Sequence, residues 1–296
     1  MTSSKSYEGS ERKTFREVSR LLTIVENDLN NARLILQSLK VDPTTPLIGI
    51  TGPPGAGKST LVAGIVQELL KENHRVAVIA VDPTSPFSSG ALLGDRVRMQ
   101  SFSTNPNVYI RSLASRGSLG GLSAKTIEMV DVLRASGFDY ILIETVGVGQ
   151  SEVEIAAMAD ITLVVLVPES GDEVQSIKAG IMEVGDAFIV NKADREGADL
   201  FANTLMSLVR HPKILPVFKT VAITGEGITQ IISFVKSFEA EPGKKEFLLA
   251  QKAFQLIQER RMADVSKKML QLEIAAGIER PGFNLYKFVE SKVKGS

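Results

Sequence analysis

The chain has 296 residues, 44% of them apolar and 23% charged, which is typical of a globular protein with one large domain and extensions. Basic and acidic residues both number 34, so the formal net charge is zero. Nucleic-acid and anionic-membrane partners usually require a basic excess, so both are disfavoured. The absence of cysteine excludes disulfides, thiolate metal sites and cysteine nucleophiles. Without an apolar stretch of about 18 residues or a signal-peptide core, a cytoplasmic location is expected.

The N-terminal region carries a helical pattern of apolar residues. Along Phe15–Leu39 these residues are three or four positions apart, which predicts an amphipathic helix. Asn27-Asp28 could divide this helix into two, and the stretch from Val41 to Pro46 predicts a linker. Residues 1–45 are therefore expected to form an N-terminal helical extension.

The middle of the chain alternates short apolar runs with segments of helical pattern. Runs that are apolar along their whole length, separated by helices, are typical of a parallel sheet covered on both faces. The predicted fold class of residues 46–240 is therefore α/β with a mostly parallel central sheet. The predicted strands are Leu47–Thr51, Val76–Val81, Val108–Ile110, Tyr140–Ile143, Ile161–Val167, Phe188–Val190 and Ile214–Val217. The predicted helices include Ser59–Lys71, Ser123–Ala135, Val174–Val184 and Leu200–Val209.

The strand pattern stops after Glu241-Pro242-Gly243. Phe247–Leu272 predicts one long, highly charged helix, and Asn284–Val293 predicts a shorter one. Residues 241–296 are therefore expected to form a C-terminal helical arm.

The strongest chemical signal lies between the first predicted strand and the helix that follows it. Residues 52–59 match the phosphate-loop pattern GxxxxGK[ST] in that context. Glycines allow backbone N–H groups to converge on phosphate oxygens, and the helix N-terminus adds a partial positive charge. Lys58 is expected to reach the β and γ phosphates, and the Ser59 hydroxyl to bind Mg²⁺. The alternative, a glycine-rich structural turn, requires the motif and both flanking elements to coincide by chance.

Two predicted strands deliver an acidic residue to the edge of the sheet where ligands bind. Asp82 follows the second strand and could bind Mg²⁺, or could simply start a turn before a proline. Glu144 directly follows the fourth predicted strand and is itself followed three residues later by Gly147. In P-loop GTPases an acid in this place anchors the water shell of the metal, and the glycine senses the γ-phosphate. Glu144 stands where an aspartate is usual.

Two loops are candidates for switches that respond to the nucleotide. Residues 83–98 are rich in serine, proline and glycine and contain Asp95, and loops of this length are usually functional or disordered. We interpret them as the first switch. Val148–Ser151 would be the second switch. Within it, Gln150 could orient a water molecule, or could equally be an ordinary polar residue at a helix start.

A second motif selects the base. Asn191, Lys192 and Asp194 form an NKxD sequence directly after the strand Phe188–Val190. A carboxylate at this place accepts hydrogen bonds from the N1–H and 2-amino groups of guanine, which adenine cannot donate. The order of phosphate loop, ExxG and NKxD is that of a GTPase.

Several stretches together resemble the MeaB/ArgK family of P-loop GTPases, which includes the methylmalonic aciduria type A protein. They are GPPGAGKST, VDPTSPFSSGALLGDR, ILIETVGVGQSE, PESGDEVQSIKAG and NKAD. Members of this family are GTPase chaperones of adenosylcobalamin-dependent methylmalonyl-CoA mutase. The resemblance covers nearly the whole chain. It implies a P-loop NTPase fold of the SIMIBI type, Mg²⁺-dependent GTP hydrolysis, a mutase partner and homodimerisation through helical extensions.

The resemblance also implies roles for individual residues. The implied catalytic residues are Lys58, Asp95 and Glu144. The implied metal ligands are Ser59, Asp82, Asp95 and Glu144. The implied nucleotide-binding residues are Gly52, Pro53, Pro54, Gly55, Ala56, Gly57, Lys58, Ser59, Thr60, Asn191, Lys192, Asp194, Val221, Ala222 and Ile223.

Two further segments carry an implied role. Gly171, Asp172, Glu173 and Lys178 match a mobile segment that couples the nucleotide state to the mutase. By themselves these four residues are more typical of a solvated helix start. The last base-contacting loop of the family often contains Ser-Ala, whereas this chain has Val221-Ala222-Ile223. Backbone N–H groups could still reach the guanine oxygen there.

The predicted function is a GTP-hydrolysing chaperone that gates cofactor loading and protects an adenosylcobalamin-dependent acyl-CoA mutase. One alternative is an ATPase or kinase of a lysine/arginine/ornithine transport system, which the guanine-selective NKxD motif disfavours. Another is a metal-insertion GTPase. Such a protein requires a cluster of histidine and cysteine ligands, and this chain has no cysteine and two histidines.

Overall fold

The computed structural model describes residues 12–29, 31–82, 99–114, 124–145, 155–171, 185–209, 215–240, 242–279 and 282–293. The chain divides into two compact units, Met1–Lys252 and Ala253–Ser296. Several predicted features lie outside the described residues. They are both switches with Asp95, Gly147 and Gln150, the coupling residues Asp172, Glu173 and Lys178, and the helix Val174–Val184.

Two helices begin the first unit, α1 (Phe15–Glu26) and α2 (Ala32–Ser38), so the predicted division near Asn27-Asp28 is confirmed. A capping box starts α1. The Thr14 side chain accepts a hydrogen bond from the Glu17 N–H group, and the Glu17 carboxylate accepts one from the Thr14 N–H group. The apolar stripe of α1 is buried against the helix Ala124–Arg134 of the central domain.

A seven-stranded sheet forms the centre of the first unit in the described part of the chain, in the order β3-β2-β4-β1-β5-β6-β7. Every neighbouring pair of strands is parallel, which confirms the predicted fold class. All residues of β1, β5 and β6 are buried, which explains their continuous apolar runs. The strands are β1 Leu47–Thr51, β2 Val76–Asp82, β3 Val108–Ala114, β4 Tyr140–Thr145, β5 Ile161–Leu166, β6 Ala187–Asn191 and β7 Val217–Thr220.

Helices cover both faces of this sheet. Among the described residues between β1 and residue 240, the α-helices are α3 Lys58–Lys71, α4 Ala124–Arg134, α5 Ala198–Leu208 and α6 Ile228–Ser237. One apolar cluster joins β1 and β5 to α3 and α6, and another joins β5 and β6 to α5. Because all strands are parallel, their carboxyl ends meet at one edge of the sheet, and this edge carries the candidate site.

The predicted strand Ile214–Val217 is wrong. The strand at this place is β7, which begins at Val217 and ends at Thr220. It lies at the edge of the sheet and includes the exposed Lys219, so it lacks a continuous apolar run. Leu215, an apolar residue of the predicted run, lies before β7 and packs against the apolar cluster that contains α5.

The predicted single helix Phe247–Leu272 is also wrong, because two helices occupy this region. They are α7 (Lys244–Arg261) and α8 (Lys267–Ile278). Ser266 starts the second, and its side-chain oxygen accepts a hydrogen bond from the Met269 N–H group. The shorter predicted helix is confirmed as α9 (Leu285–Val293). Among the described residues, no helix is both long enough and apolar enough to cross a membrane.

Candidate functional site

The phosphate loop connects β1 to α3 in a conformation that only glycine accommodates at two positions. Gly52 has φ +135°, and an added Cβ would lie 2.0 Å from the Val165 carbonyl oxygen. Gly57 caps α3 in the left-handed region with φ +87°, and its Cβ would lie 2.4 Å from Asn191 Nδ2. At both positions the positive φ disfavours any residue with a side chain, and a neighbouring atom already occupies the space that a Cβ would need. Each of these two motif glycines is therefore required by a different neighbour, the Val165 carbonyl for Gly52 and the Asn191 side chain for Gly57.

Lys58 is the first residue of α3 and is 7% exposed. Its ammonium group donates hydrogen bonds to the Gly52 carbonyl at 2.8 Å and to the Pro53 carbonyl at 3.0 Å. The charge is therefore held over the loop, next to the N-terminus of α3, where backbone N–H groups favour an anion. This arrangement suits the phosphates of a nucleotide.

Ser59 and Glu144 meet beside the phosphate loop. The Ser59 hydroxyl donates to Glu144 Oε1 at 2.6 Å, and both residues are buried. Their approach follows from the sheet, because β1 and β4 are neighbours and Ile50 pairs with Glu144. One residue further on, the Thr145 hydroxyl donates to the Thr51 hydroxyl at 3.1 Å. A hydroxyl and a carboxylate at this place are ligands of the kind that Mg²⁺ prefers, so these residues fit a magnesium ion.

The other two predicted metal ligands are described only in part or not at all. Asp82 is the last residue of β2, whose neighbouring residue Val81 pairs with Thr145 of β4. Its backbone therefore ends at the same edge of the sheet as Glu144, while its side chain lies outside what the structure describes. Asp95 lies outside the described residues altogether.

Asn191 joins the phosphate loop to the region that follows β7. Its side chain is 2% exposed at the end of β6. Nδ2 donates to the Ala56 carbonyl at 2.8 Å. Oδ1 accepts from the Thr220 hydroxyl and from the Ala222 N–H group, both at 3.1 Å. One amide group thus fixes two loops that are far apart in the sequence.

An open pocket lies beside the phosphate loop. It brings together the predicted base-binding residues of the NKxD motif and of the loop after β7. Lys192 has φ +56°, and the turn it starts leaves Asp194 exposed. The Asp194 carboxylate can therefore accept hydrogen bonds from a ligand. The pocket is lined by Gly57, Thr60, Asn191, Lys192, Asp194, Val221, Ala222, Ile223 and Thr224.

Several residues of this site were not predicted from the sequence. Thr51 and Thr145 form a hydrogen bond with each other, and Thr220 forms one with Asn191. Threonine is common in strands, so a threonine at a strand end carries no separate signal. Thr224 also lines the pocket. The signal that could have found it is the sequence Thr224-Gly225-Glu226-Gly227, which indicates a loop and ends directly before α6.

The geometry defines the class of protein. A buried lysine held over a glycine loop at a helix N-terminus is the phosphate site of a P-loop nucleoside triphosphatase. The adjoining pocket presents Asp194, an acceptor suited to guanine. The chain is a P-loop GTPase, as the sequence predicted.

The chain belongs to the MeaB family. The family described as "Methylmalonyl Co-A mutase-associated GTPase MeaB" matches residues 18–276. A Pyrococcus horikoshii protein named as a GTPase is 51% identical over 243 residues, which are 77% of this chain and 76% of that protein. The "Methylmalonic aciduria type A homolog, mitochondrial" of Mus musculus is 40% identical over 206 residues, 67% of this chain and 50% of that protein. The resemblance noted in the sequence is confirmed.

One solved structure supports the fold. The crystal structure of an LAO/AO transport system kinase matches with a TM-score of 0.65 and 23% identity, over 95% of this chain and 93% of that chain. At this identity the match supports the P-loop NTPase fold.

The contact between Gly57 and Asn191 can be tested with a matched pair of glycines. Gly57 and Gly197 both cap helices, with φ +87° and +81°, but an added Cβ at Gly197 has no atom of the described residues within 4 Å. Both alanine variants should lose about 1–2 kcal/mol of stability from backbone strain. Only Gly57→Ala should also displace the Asn191 amide, and we expect its affinity for GDP to fall more than tenfold. Calorimetric titration with GDP measures this, and an equal loss in both variants would contradict it.

Proposed function

We propose that this GTPase is a chaperone that gates cofactor loading of an adenosylcobalamin-dependent acyl-CoA mutase of the methylmalonyl-CoA mutase type, and protects that enzyme. The observation that carries the proposal is the match of residues 18–276 to a family described as mutase-associated GTPases. The identity to the mouse methylmalonic aciduria type A homolog supports it. The segment Gly171–Lys178 would couple the nucleotide state to the mutase.

The proposal includes a magnesium ion beside the phosphate loop. Ser59 and Glu144, which already contact each other, would hold it together with Asp82 and Asp95. The ion would neutralise charge that develops on the phosphate oxygens during hydrolysis. Lys58 and the N–H groups of the loop would stabilise the same charge from the protein side. Hydrolysis then depends mainly on positioning, so slow turnover is expected until a partner completes the site.

Replacement of Asp194 should change the base that is bound. In Asp194→Asn the side-chain amide can donate to a carbonyl, so xanthosine triphosphate should replace GTP as the preferred ligand. Loss of a hydrogen bond to a charged group costs about 1.5–3 kcal/mol, or roughly 10- to 150-fold in affinity for GTP. Asp199→Asn is the control, because Asp199 is exposed and pairs with Lys219 at 2.6 Å. The measurement is nucleotide titration, and equal affinity of the parent chain for ATP and GTP would exclude the guanine assignment.

If the nucleotide site and the mutase are coupled, occupation of one should change the activity of the other, and we expect the mutase to stimulate GTP hydrolysis. We expect GTP turnover by the parent chain to rise at least fivefold on addition of the purified mutase. In Asp194→Asn the stimulation should follow xanthosine triphosphate instead, because the stimulated site is the one that Asp194 lines. An acyl-CoA enzyme without cobalamin serves as the control. If the mutase changes nucleotide turnover neither by the parent chain nor by Asp194→Asn, this partner is removed from the proposal.

The predicted C-terminal arm, residues 241–296, is proposed to form a homodimer. The helices α8 and α9 have no buried residue, although both carry large apolar side chains. A contiguous patch of such side chains is typical of an interaction surface, and the proposed dimer would bury one. Within the second unit, the side chains exposed by half or more include Phe254, Ile257, Met262, Met269, Leu272, Ile278, Leu285, Tyr286 and Val293.

Charged substitutions in this arm should dissociate the dimer. Leu272→Glu combined with Ile278→Glu places two charges on the apolar surface, and we expect the dimer dissociation constant to rise at least tenfold. The control is Leu200→Glu, since Leu200 is 74% exposed in the first unit. Sedimentation velocity at micromolar concentration measures the result. A parent chain that is monomeric under these conditions would contradict the proposed dimer.

A further inference from the structure

Ile223 is an apolar residue in an unusual place. It is 87% exposed and lines the base pocket. It occupies the third position of a turn closed by the Thr224 N–H group, which donates to the Val221 carbonyl at 3.0 Å. Turns favour glycine, asparagine, aspartate and serine, not β-branched apolar residues. Single exposed apolar residues are common on protein surfaces, so exposure alone decides nothing. The position inside the pocket is what distinguishes Ile223.

The loop that carries Ile223 is held by its own hydrogen bonds. The Val221 N–H group donates to the Glu226 carbonyl at 3.1 Å. The Ala222 N–H group donates to Asn191 at 3.1 Å, and the Gly225 N–H group donates to the Val221 carbonyl at 3.0 Å. This loop cannot fold inward to bury Ile223 without breaking these bonds. The side chain is therefore presented to whatever enters the pocket.

The same bonds restrict where the edge of a base can bind. The N–H groups of Val221, Ala222, Thr224 and Gly225 all donate within the protein. Among the N–H groups of residues 221–225 in the described part of the chain, that of Ile223 makes no hydrogen bond, so it remains for a ligand oxygen. A base that reaches this donor has the Ile223 side chain next to it.

We propose that the side chain of Ile223 packs on the face of the bound guanine ring and supplies apolar affinity that the polar groups of the pocket do not. The edge of the base meets Asp194 and backbone donors. The flat face offers no hydrogen bonds, and its removal from water favours an apolar neighbour. This inference rests on the guanine assignment of the proposed function, and it concerns affinity for the base, not the choice between bases.

Two substitutions of nearly equal shape test the proposal. Valine and threonine are both β-branched and nearly isosteric, and threonine has a hydroxyl group where valine has a methyl group. Ile223→Val should bind GDP within about twofold of the parent, and Ile223→Thr about five- to tenfold more weakly than Ile223→Val. The Leu200→Thr variant, at an exposed leucine outside this pocket, should bind GDP as the parent does. The measurement is competition against a fluorescent GDP analogue, with melting curves to confirm that each variant is folded.

Inosine diphosphate separates a contact with the ring face from an effect on Asp194. It lacks the 2-amino group, so the ratio of GDP to IDP affinity reports on the carboxylate. We expect this ratio to be the same in the parent, Ile223→Val and Ile223→Thr. Equal GDP affinity of the valine and threonine variants, or a ratio that falls in Ile223→Thr, would overturn the proposal. If Asp194→Asn instead leaves base preference unchanged, the guanine assignment itself is wrong.

Discussion

The nucleotide site depends on one buried amide. Asn191 donates to the phosphate loop and accepts from the end of β7 and from the loop beyond it. Each of these groups is buried, and a buried polar group without a partner costs about 1–3 kcal/mol. The phosphate loop and the base pocket belong to strands that are separated in the sheet by β5. Among the described residues, this amide is the hydrogen-bonded link between Ala56 and Ala222.

The amide also explains a feature of the phosphate loop. Gly57 has to lack a Cβ because Asn191 Nδ2 would lie 2.4 Å from it. The glycine of one motif and the asparagine of another are therefore a single packing unit. A change at either residue alters the site of the phosphates and the site of the base together.

The sequence predicted most of the sheet and much of the site, and the reasons are physical. Strands buried on both faces, such as β1 and β5, must be apolar along their length, so their positions can be predicted from the sequence. The edge strand β7 is partly exposed and has no such constraint, and it was misplaced. The break between α7 and α8 was missed because α8 has no buried residue and the buried residues of α7, Leu248 and Lys252, lie in its first half, so no buried stripe marks where α7 ends. The pairings of Ser59 with Glu144 and of Thr51 with Thr145 require the strand order, which places β1 beside β4. Spacing along the chain does not contain that information.

The two halves of the site have different consequences for the nucleotide. The base pocket is preorganised by hydrogen bonds among Asn191, Thr220 and Ala222, so little ordering is needed when the base enters. These contacts are the same for GDP and GTP, because both nucleotides carry the same base.

A ligand can shift an equilibrium only by its differential affinity for the two states. Under the proposed function, discrimination between GDP and GTP would arise on the other side of the phosphate loop, where the Ser59 hydroxyl donates to Glu144 at 2.6 Å. Glu144 and Thr145 are the last residues of β4, and Val146 and Gly147 separate them in the sequence from the predicted second switch, Val148–Ser151. The proposed function thus assigns the response to the γ-phosphate to the end of β4, which is close in sequence to the predicted second switch, and it leaves the base pocket to supply an affinity that is the same for GDP and GTP.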